Sequence, residues 1–291
     1  MEHKSGFVNI IGKPNVGKST LMNALVGEKL SIITPKAQTT RHRILGIVNS
    51  DDFQIVFSDT PGIVKPHYEL HKSMMKFVET ALEDADIILF VTEVNEKELE
   101  PETIARIQNS TIPVIALLNK IDQCEQDVAM QKLTELQTLL PKANCIPVSA
   151  LHNFNLESVL TNILELLPEC PPYYPKDELT DRSTRFFVSE IIREKILLLY
   201  KQEIPYSVQV VIESFVEEPK ITRIAATIHV ARDTQKSIII GKGGIAIKRL
   251  GTDSRKDMET FLGQKVFLEL FVKVTKDWRD DERSLRHFGY E

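Results

Sequence analysis

Residues 12–19 constrain the fold more than any other part of the chain. They read G-x-x-x-x-G-K-S and lie between an apolar run, residues 7–11, and a stretch with helical spacing, residues 19–26. Glycines let the backbone wrap tightly, so that successive N–H groups converge on phosphate oxygens, and the following helix adds the positive end of its dipole. The pattern therefore predicts a phosphate-binding loop. Lys18 is expected at the β- and γ-phosphates, and the hydroxyl of Ser19 at Mg²⁺.

The first half of the chain alternates apolar runs with stretches of helical spacing. The predicted strands are residues 7–11, 53–58, 87–91, 114–118 and 145–148, and the predicted helices are residues 19–26, 73–83, 101–108, 127–140 and 156–167. Alternation of this kind is typical of helices packed on both faces of a parallel sheet. It predicts a P-loop NTPase domain of the α/β class, with three layers and a mostly parallel sheet.

A second polar motif follows the predicted strand 53–58. It consists of Asp59, Thr60, Pro61 and Gly62. A carboxylate at this place can hold the Mg²⁺ shell, and a glycine can bring its N–H to the γ-phosphate because no side chain blocks the approach. Taken alone, D-x-x-G is typical of an ordinary turn, so its weight comes from its position after the phosphate-binding loop.

The next two predicted strands also end in polar residues, Asn119, Lys120 and Asp122 after one and Ser149 and Ala150 after the other. A carboxylate at position 122 accepts from the N1–H and the exocyclic amine of guanine, whereas adenine offers neither donor there. The N–H of Ala150 can donate to guanine O6. N-K-x-D by itself is typical of a polar loop, but ordered motifs at the carboxyl edges of strands predict GTP rather than ATP.

These motifs resemble G1, G3, G4 and G5 of the translation-factor-type GTPases of the TrmE-Era-EngA-like group. Residues 38–42, Q-T-T-R-H, are similar to that group's G2 motif in switch I. The resemblance implies that Thr40 binds Mg²⁺ together with Ser19 and Asp59, with Thr39 as the alternative to Thr40.

Ile63 departs from Ras-like GTPases, which carry at this place the glutamine that orients the attacking water. In the resembled group a potassium ion, held partly by the P-loop asparagine, does part of this work, and Asn15 stands in the matching place. The resemblance implies slow, K⁺-stimulated hydrolysis with Lys18, Asn15 and Gly62 as catalytic residues. The alternative is that Asn15 serves only the turn.

The residues expected to contact the nucleotide are Gly12, Lys13, Pro14, Asn15, Val16, Gly17, Lys18, Ser19, Thr20, Thr39, Thr40, Asp59, Thr60, Pro61, Gly62, Ile63, Asn119, Lys120, Asp122, Ser149 and Ala150.

The second half of the chain has a different order of elements. Residues 168–175 contain four prolines and predict a stiff, extended linker. A helix is predicted at residues 183–201, strands at 207–217 and 222–231, a strand-like segment at 237–240, a helix at 245–261 and a strand at 266–274. This order predicts a smaller α+β domain of the type II KH arrangement.

A glycine-rich loop at residues 241–244 supports that prediction. G-x-x-G removes side-chain bulk, so that the backbone of single-stranded RNA can approach the N–H groups closely. Lysine and arginine in and after the loop supply positive charge for phosphates. A glycine hairpin is the alternative for the loop alone. The residues expected to bind RNA are Gly241, Lys242, Gly243, Gly244, Lys248 and Arg249.

The whole chain resembles the Era subfamily, in which a G domain precedes a KH domain. The resemblance implies a G domain at residues 1–167, a linker at 168–180 and a KH domain at 181–291. It also implies a monomeric switch that binds 16S rRNA near its 3′ end, acts in assembly of the small (30S) ribosomal subunit, and is cytoplasmic with peripheral association at the inner membrane. The alternatives are a TrmE- or EngA-like GTPase with another RNA target, and an RNA-binding module that only senses guanine nucleotide.

Composition indicates where the protein is located in the cell and which half of the chain binds a polyanion. Residues 181–291 carry 20 Lys and Arg against 17 Asp and Glu, whereas the whole chain carries 36 against 41, so a polyanion is expected at the second half. Three cysteines without metal-ligand spacing predict neither a disulfide framework nor a metal site, and indicate a reducing cytoplasm. The longest apolar runs, residues 87–91 and 112–118, are too short to span a bilayer.

Overall fold

The computed structural model describes residues 3–36 and 38–290, and it divides into two compact units. The first unit contains Met1–Lys65 and Met74–Asp181, and the second contains Pro66–Ser73 and Arg182–Glu291. Residues 1, 2 and 291, at the ends of the predicted domain ranges, lie outside the described residues. Among the described residues, none of the helices combines the length and the apolar character needed to cross a membrane.

The first unit is built on a six-stranded sheet in the order β2-β3-β1-β4-β5-β6. Its strands are β1 Lys4–Ile11, β2 Ile44–Asn49, β3 Phe53–Asp59, β4 Ile87–Glu93, β5 Val114–Asn119 and β6 Asn144–Pro147. All neighbours pair in parallel except β2, which runs antiparallel to β3 at one edge. The three-layer α/β prediction is confirmed.

The sequence analysis missed β2, and Gly46 in its middle explains why. Glycine interrupts the β-branched pattern by which strands are recognised. The structure shows that a Cβ at Gly46 would lie 2.7 Å from the side chain of Val26. A glycine is therefore needed there to let the first helix pack on the sheet.

Five helices cover the sheet of the first unit. They are α1 Lys18–Val26, α2 Glu69–Glu83, α3 Pro101–Gln108, α4 Gln126–Leu139 and α5 Leu156–Leu166. The predicted helices agree with these within one residue, except that α2 begins at Glu69, four residues before the predicted position 73. The start of α2 groups with the second unit, where the N–H of Leu70 donates to the carbonyl of Arg279 at 2.9 Å.

The proline-rich segment contains no helix and belongs to the first unit. Gln54 of β3 holds it: the side-chain oxygen accepts from the N–H groups of Tyr173 at 2.7 Å and Tyr174 at 3.0 Å, and the amide nitrogen donates to the carbonyl of Tyr174 at 2.8 Å. Lys176 Nζ donates to the carbonyls of Ser50 at 2.8 Å and Asp51 at 3.0 Å. These contacts fix the segment against the β2–β3 edge.

The second unit has a three-stranded sheet in the order β7-β8-β9, with β7 antiparallel and β9 parallel to β8. Its elements are α6 Thr184–Leu199, β7 Val208–Glu217, β8 Ile221–Val230, α7 Asp233–Ile240, α8 Ile245–Leu262, β9 Lys265–Val274 and α9 Glu282–His287. The order αββααβ of the type II KH prediction is confirmed, followed by the additional helix α9.

One prediction for this unit is wrong. The sequence predicts a strand-like segment at residues 237–240, which include three consecutive isoleucines, but these residues form the end of α7. The side-chain oxygen of Gln235 accepts from the N–H groups of Ala231 at 3.0 Å and Arg232 at 3.1 Å, which fixes the beginning of this helix. Burial of Ile239 in the core of the unit then outweighs the β propensity of the run.

We expect Gln54→Ala to release the proline-rich segment. The substitution leaves two backbone N–H groups without their acceptor, so local opening around Lys176 becomes easier and trypsin cleavage after Lys176 accelerates by about 10- to 100-fold. Limited proteolysis followed by mass spectrometry measures the rate. Gln131→Ala, on the exposed surface of α4, is the matched control. Equal cleavage rates in the two variants would contradict the anchoring role of Gln54.

Candidate functional site

The predicted phosphate-binding loop connects β1 to α1 in the first unit. Gly17 has a left-handed backbone with a φ of 102°. A Cβ at this position would lie 2.2 Å from Asn119 Nδ2, so both conformation and space require glycine. Because α1 begins at Lys18, the unpaired N–H groups of its first turn and the positive end of its dipole lie at the loop. The arrangement suits an anion.

The Lys18 ammonium is buried inside this loop. Its Nζ donates to the carbonyls of Gly12 at 3.0 Å and Lys13 at 2.8 Å. Burial lowers the pKa of Lys18 to about 8, although the carboxylates of Asp59 and Glu96 act in the opposite direction. A buried cation is stabilised by any anion that enters the loop, and phosphate oxygens are better acceptors than the two carbonyls.

Asp59 and two hydroxyls form a compact group of oxygen ligands. The Asp59 carboxylate is fully buried, and its Oδ2 accepts from Ser19 Oγ at 2.7 Å and from Thr40 Oγ1 at 3.2 Å. The two hydroxyl oxygens are 2.9 Å apart. Burial raises the pKa of Asp59, which means that the charged form lacks solvation. Oxygen ligands around an undersolvated carboxylate fit a hard divalent cation such as Mg²⁺.

The structure separates the two candidate threonines of switch I. Thr40 groups with Ser19 and Asp59, whereas Thr39 Oγ1 donates to the carbonyl of Lys36 at 2.6 Å and lies 3.1 Å from Thr34 Oγ1. The geometry therefore favours Thr40 over Thr39 as the metal ligand.

The loop of residues 59–63 lies directly against the phosphate-binding loop. Thr60 Oγ1 donates to the carbonyl of Ile10 at 2.8 Å, and the N–H of Ile63 donates to the carbonyl of Gly12 at 3.2 Å. A Cβ at Gly62 would lie 2.7 Å from atoms of Pro14. Only glycine permits this close approach, which places the Gly62 backbone next to the predicted γ-phosphate position.

The residues predicted to bind guanine are held by one another. Asn119 Nδ2 donates to the carbonyl of Val16 at 2.8 Å, and Asn119 Oδ1 accepts from the N–H of Ala150 at 3.0 Å. Ser149 Oγ donates to Asp122 Oδ1 at 2.5 Å, which orients the carboxylate. The Ala150 N–H was predicted to donate to guanine O6, and in this structure it donates to Asn119 instead. Its contact with guanine stays a prediction.

Two acidic residues that the sequence analysis did not select form ion pairs with Lys120 and Lys13. Glu93 forms an ion pair with Lys120, whose Nζ also donates to the carbonyl of Asn15 at 2.6 Å. Glu96 forms an ion pair with Lys13 at 2.8 Å and accepts from Thr92 Oγ1 at 2.7 Å. The available signal was their position, since Glu93 is the last residue of β4 and Glu96 follows three residues later, at the same sheet edge as the other motifs.

Residues of the phosphate-binding loop, of switch I and of the loop 59–63, together with Lys120, line a cavity of about 330 Å³ in the first unit. Asn15, predicted to be a potassium ligand, lines it with a left-handed backbone and donates through Nδ2 to the carbonyl of Pro35 at 3.4 Å. Several lining residues were not predicted from the sequence, and they come from the loop between α1 and β2. They are Ile32, Ile33, Thr34, Pro35 and Gln38.

In the second unit, the glycine-rich loop joins α7 to α8. Gly241, Gly243 and Gly244 all have positive φ values, between 62° and 77°, so the loop requires glycine. Lys242 is exposed at its tip, and Lys248 is exposed on the first turns of α8. Arg249 is also exposed but pairs with Asp253 at 3.8 Å, away from the loop.

An open groove of about 330 Å³ runs between α8 and β9. Its floor is apolar, and it carries Lys248 and Arg255 as cationic residues. Gly251 lines it from α8, where a Cβ would lie 3.4 Å from Leu270. The sequence analysis predicted only Lys248 of this set. The groove is lined by Ile247, Lys248, Gly251, Thr252, Arg255, Leu268 and Leu270.

Comparison with known proteins gives a domain family for each of the two units. The model of the 50S ribosome-binding GTPase family matches residues 7–120, and the KH domain model matches residues 203–279. The chain is 41% identical to Era in complex with MgGDPNP and nucleotides 1506–1542 of 16S ribosomal RNA, with a TM-score of 0.94 over 99% of both chains. The chain belongs to the Era family of GTPases. Era from Aquifex aeolicus, as an alanine variant bound to GDP·AlF4⁻, is also 41% identical over 99% of both chains, with a TM-score of 0.93.

Membership in the Era family confirms the resemblance drawn from the motifs. It makes this chain a GTPase with a C-terminal KH domain. The alternative of an EngA- or TrmE-like protein is not supported, because Era is similar over nearly the entire chain.

Asp122→Asn tests the assignment of the base. Guanine presents two donors to the carboxylate, whereas xanthine presents one donor and one acceptor, which match a carboxamide. We expect the affinity for GDP to fall by at least about 100-fold, with a gain of binding to the xanthosine nucleotide. Titration calorimetry with both nucleotides measures this. Asp127→Asn, on the exposed first turn of α4, is the control. A variant that still prefers GDP would show that Asp122 does not read the base.

Proposed function

We propose that this chain is an RNA-regulated GTPase switch that binds GTP and GDP with Mg²⁺ and binds 16S rRNA near its 3′ end. Its role is in assembly of the small (30S) ribosomal subunit. The proposal is carried by one observation: the residues of the phosphate, metal and guanine motifs contact one another in the first unit, and the same chain, which has an open groove in its second unit, is similar to RNA-bound Era over nearly its full length. Cytoplasmic location, a monomeric state and peripheral association with the inner membrane follow from family resemblance alone.

Each part of the nucleotide site has a role in this proposal. Mg²⁺, when bound, neutralises charge on the β- and γ-phosphates. Ser19, Thr40 and Asp59 would hold it, and Lys18 would hold the phosphate oxygens. The N–H of Gly62 would reach the γ-phosphate, so that switch I through Thr40 and the loop through Gly62 are both ordered by GTP. Hydrolysis removes that tether and releases both loops.

Ile63 supports slow intrinsic hydrolysis, because its side chain cannot orient the attacking water. Asn15 lines the nucleotide cavity beside switch I and is the residue we propose as a potassium ligand. We expect turnover to be about tenfold faster in KCl than in NaCl, because the fixed cation stabilises charge in the transition state. Asn15→Ala should lose this difference. Asn95→Ala, on the surface beside Gln123, is the control. Equal turnover of the unmodified chain in both salts would contradict the proposal.

Single-turnover phosphate release with and without RNA tests whether RNA regulates hydrolysis. We expect bound RNA to change the rate of phosphate release. Equal rates under both conditions would contradict regulation by RNA.

Lys242→Ala tests RNA binding by the glycine-rich loop of the KH domain. Lys242 is exposed at the tip of the glycine-rich loop, so it is expected to contact one phosphate. The affinity for single-stranded RNA with the sequence of the 16S 3′ end should fall, and the slope of log K against log salt should become shallower by about 0.7. Fluorescence anisotropy over a salt series measures both. Lys201→Ala, exposed after α6, is the matched control, and identical slopes in all three proteins would remove Lys242 from the RNA site.

A further inference from the structure

The sheet of the second unit has one face that α6, α7 and α8 do not cover. Along β9, Val266, Leu268 and Leu270 pack toward the core, so the alternating residues point to the opposite side. We call that side the outer sheet face. The strand registers place on it Gln209, Val211, Ser214 and Val216 of β7, Arg223, Ala225, Thr227 and His229 of β8, and Lys265, Phe267, Glu269, Phe271 and Lys273 of β9.

The chain itself covers one half of the outer sheet face. Trp278 is fully buried, and its Nε1 donates to the carbonyl of Ser207 at 3.0 Å. The ring of Phe288 lies 4.9 Å from that of His229, and the hydroxyl of Tyr290 donates to Gln209 Oε1 at 2.7 Å. Aromatic residues from the end of the chain therefore close the half of the face that contains Gln209 and His229.

The other half of the outer sheet face is open and aromatic. Phe267 is 44% exposed and Phe271 is 55% exposed. The two residues are four apart on one face of β9, or about 13 Å along the strand. Across the sheet, Phe267 lies beside Arg223 and Phe271 lies beside the small Thr227, while Glu269 stands between the two rings on β9, opposite Ala225. Two exposed rings on one strand mark an interaction surface.

The charges around these rings fit single-stranded nucleic acid. The guanidinium of Arg223 lies 5.3 Å from the centre of the Phe267 ring, and Lys265 and Lys273 are exposed at the two ends of the same face. Bases stack on aromatic rings, and lysine and arginine bind the phosphates beside them. Glu269, between the rings, can accept from the amino group of a base and repels phosphate, which favours bases toward the sheet. Arg223 also pairs with Glu218 at 2.9 Å on the exposed surface.

We propose that the open half of the outer sheet face is a second RNA-contacting surface, on which bases stack against Phe267 and Phe271. The proposal rests on the proposed RNA-binding function and extends it beyond the groove. Leu268 and Leu270, on the other side of β9, line the groove, so the two surfaces share one strand at the edge of the sheet. A single RNA segment that leaves the groove can cross that edge. A charged residue beside each ring argues against a protein partner, because the cores of protein interfaces are depleted of lysine and glutamate.

The test uses the full chain with Phe267→Ala, Phe271→Ala and the double substitution. Phe261→Ala is the matched control, because Phe261 is an aromatic residue of α8 that is 45% exposed and contacts Phe187. We expect each sheet-face substitution to weaken binding of a single-stranded RNA of about 20 nucleotides by about tenfold. The control should bind as the unmodified chain does, and GTP turnover without RNA should be the same in all variants. Phe271→Tyr should retain the affinity, since a tyrosine ring stacks equally well.

A second measurement locates the contact directly. Trypsin cuts after Lys265 and Lys273, so residues 266–273 form one peptide that contains both phenylalanines, while residues 243–248 form a peptide from the groove. Ultraviolet crosslinking to the same RNA should attach nucleotides to both peptides in the unmodified chain. In Phe267→Ala/Phe271→Ala, only the groove peptide should retain them.

The outcomes separate this proposal from the proposed function. If the phenylalanine variants bind RNA as tightly as the unmodified chain while Lys242→Ala weakens binding, the second surface is overturned and the groove stands. If the unmodified chain binds no RNA, the proposed function fails and the second surface fails with it. If the phenylalanine variants keep their RNA affinity but no longer sediment with 30S particles, the face contacts a protein and the proposal is overturned.

Discussion

The side-chain amide of Asn119 joins three loops of the nucleotide site. It donates to the carbonyl of Val16 in the phosphate-binding loop and accepts from the N–H of Ala150, while the β5 strand holds it at the sheet edge. Gly17 must be glycine because this amide occupies the space of its Cβ. The phosphate end and the base end of the site therefore form one rigid frame, and a nucleotide that fits one end is positioned for the other.

Burial determines the electrostatics of the phosphate end. Lys18 and Asp59 are both buried, and burial lowers the pKa of Lys18 and raises the pKa of Asp59, so it favours the neutral form of each. Neither charge is well solvated inside the protein, so both are stabilised when phosphate and a divalent cation replace the missing solvent. A site with undersolvated charges of both signs couples nucleotide binding to metal binding, because the phosphates stabilise the buried ammonium and the cation stabilises the buried carboxylate.

The second unit uses both faces of its edge strand. The side of β9 that faces α8 contributes the apolar floor of the groove, and the opposite side carries Phe267 and Phe271. Residues from Trp278 onward cover only the half of the outer sheet face that they reach. In this small domain the same strand is therefore part of the core, of the groove and of an exposed aromatic surface.

The sequence by itself determined the fold class and most of the order of elements, and it predicted most residues of the proposed nucleotide site. It did so because the glycine loop, the carboxylate of Asp59 and the N-K-x-D motif need their residue types at fixed places on strand ends. Only the tertiary structure favoured Thr40 over Thr39 as the metal ligand, and only it showed the ion pairs of Glu93 and Glu96, because these depend on distances between loops far apart in sequence. Local propensity also failed for Ile239, since burial in the core and not its β preference set the helix α7.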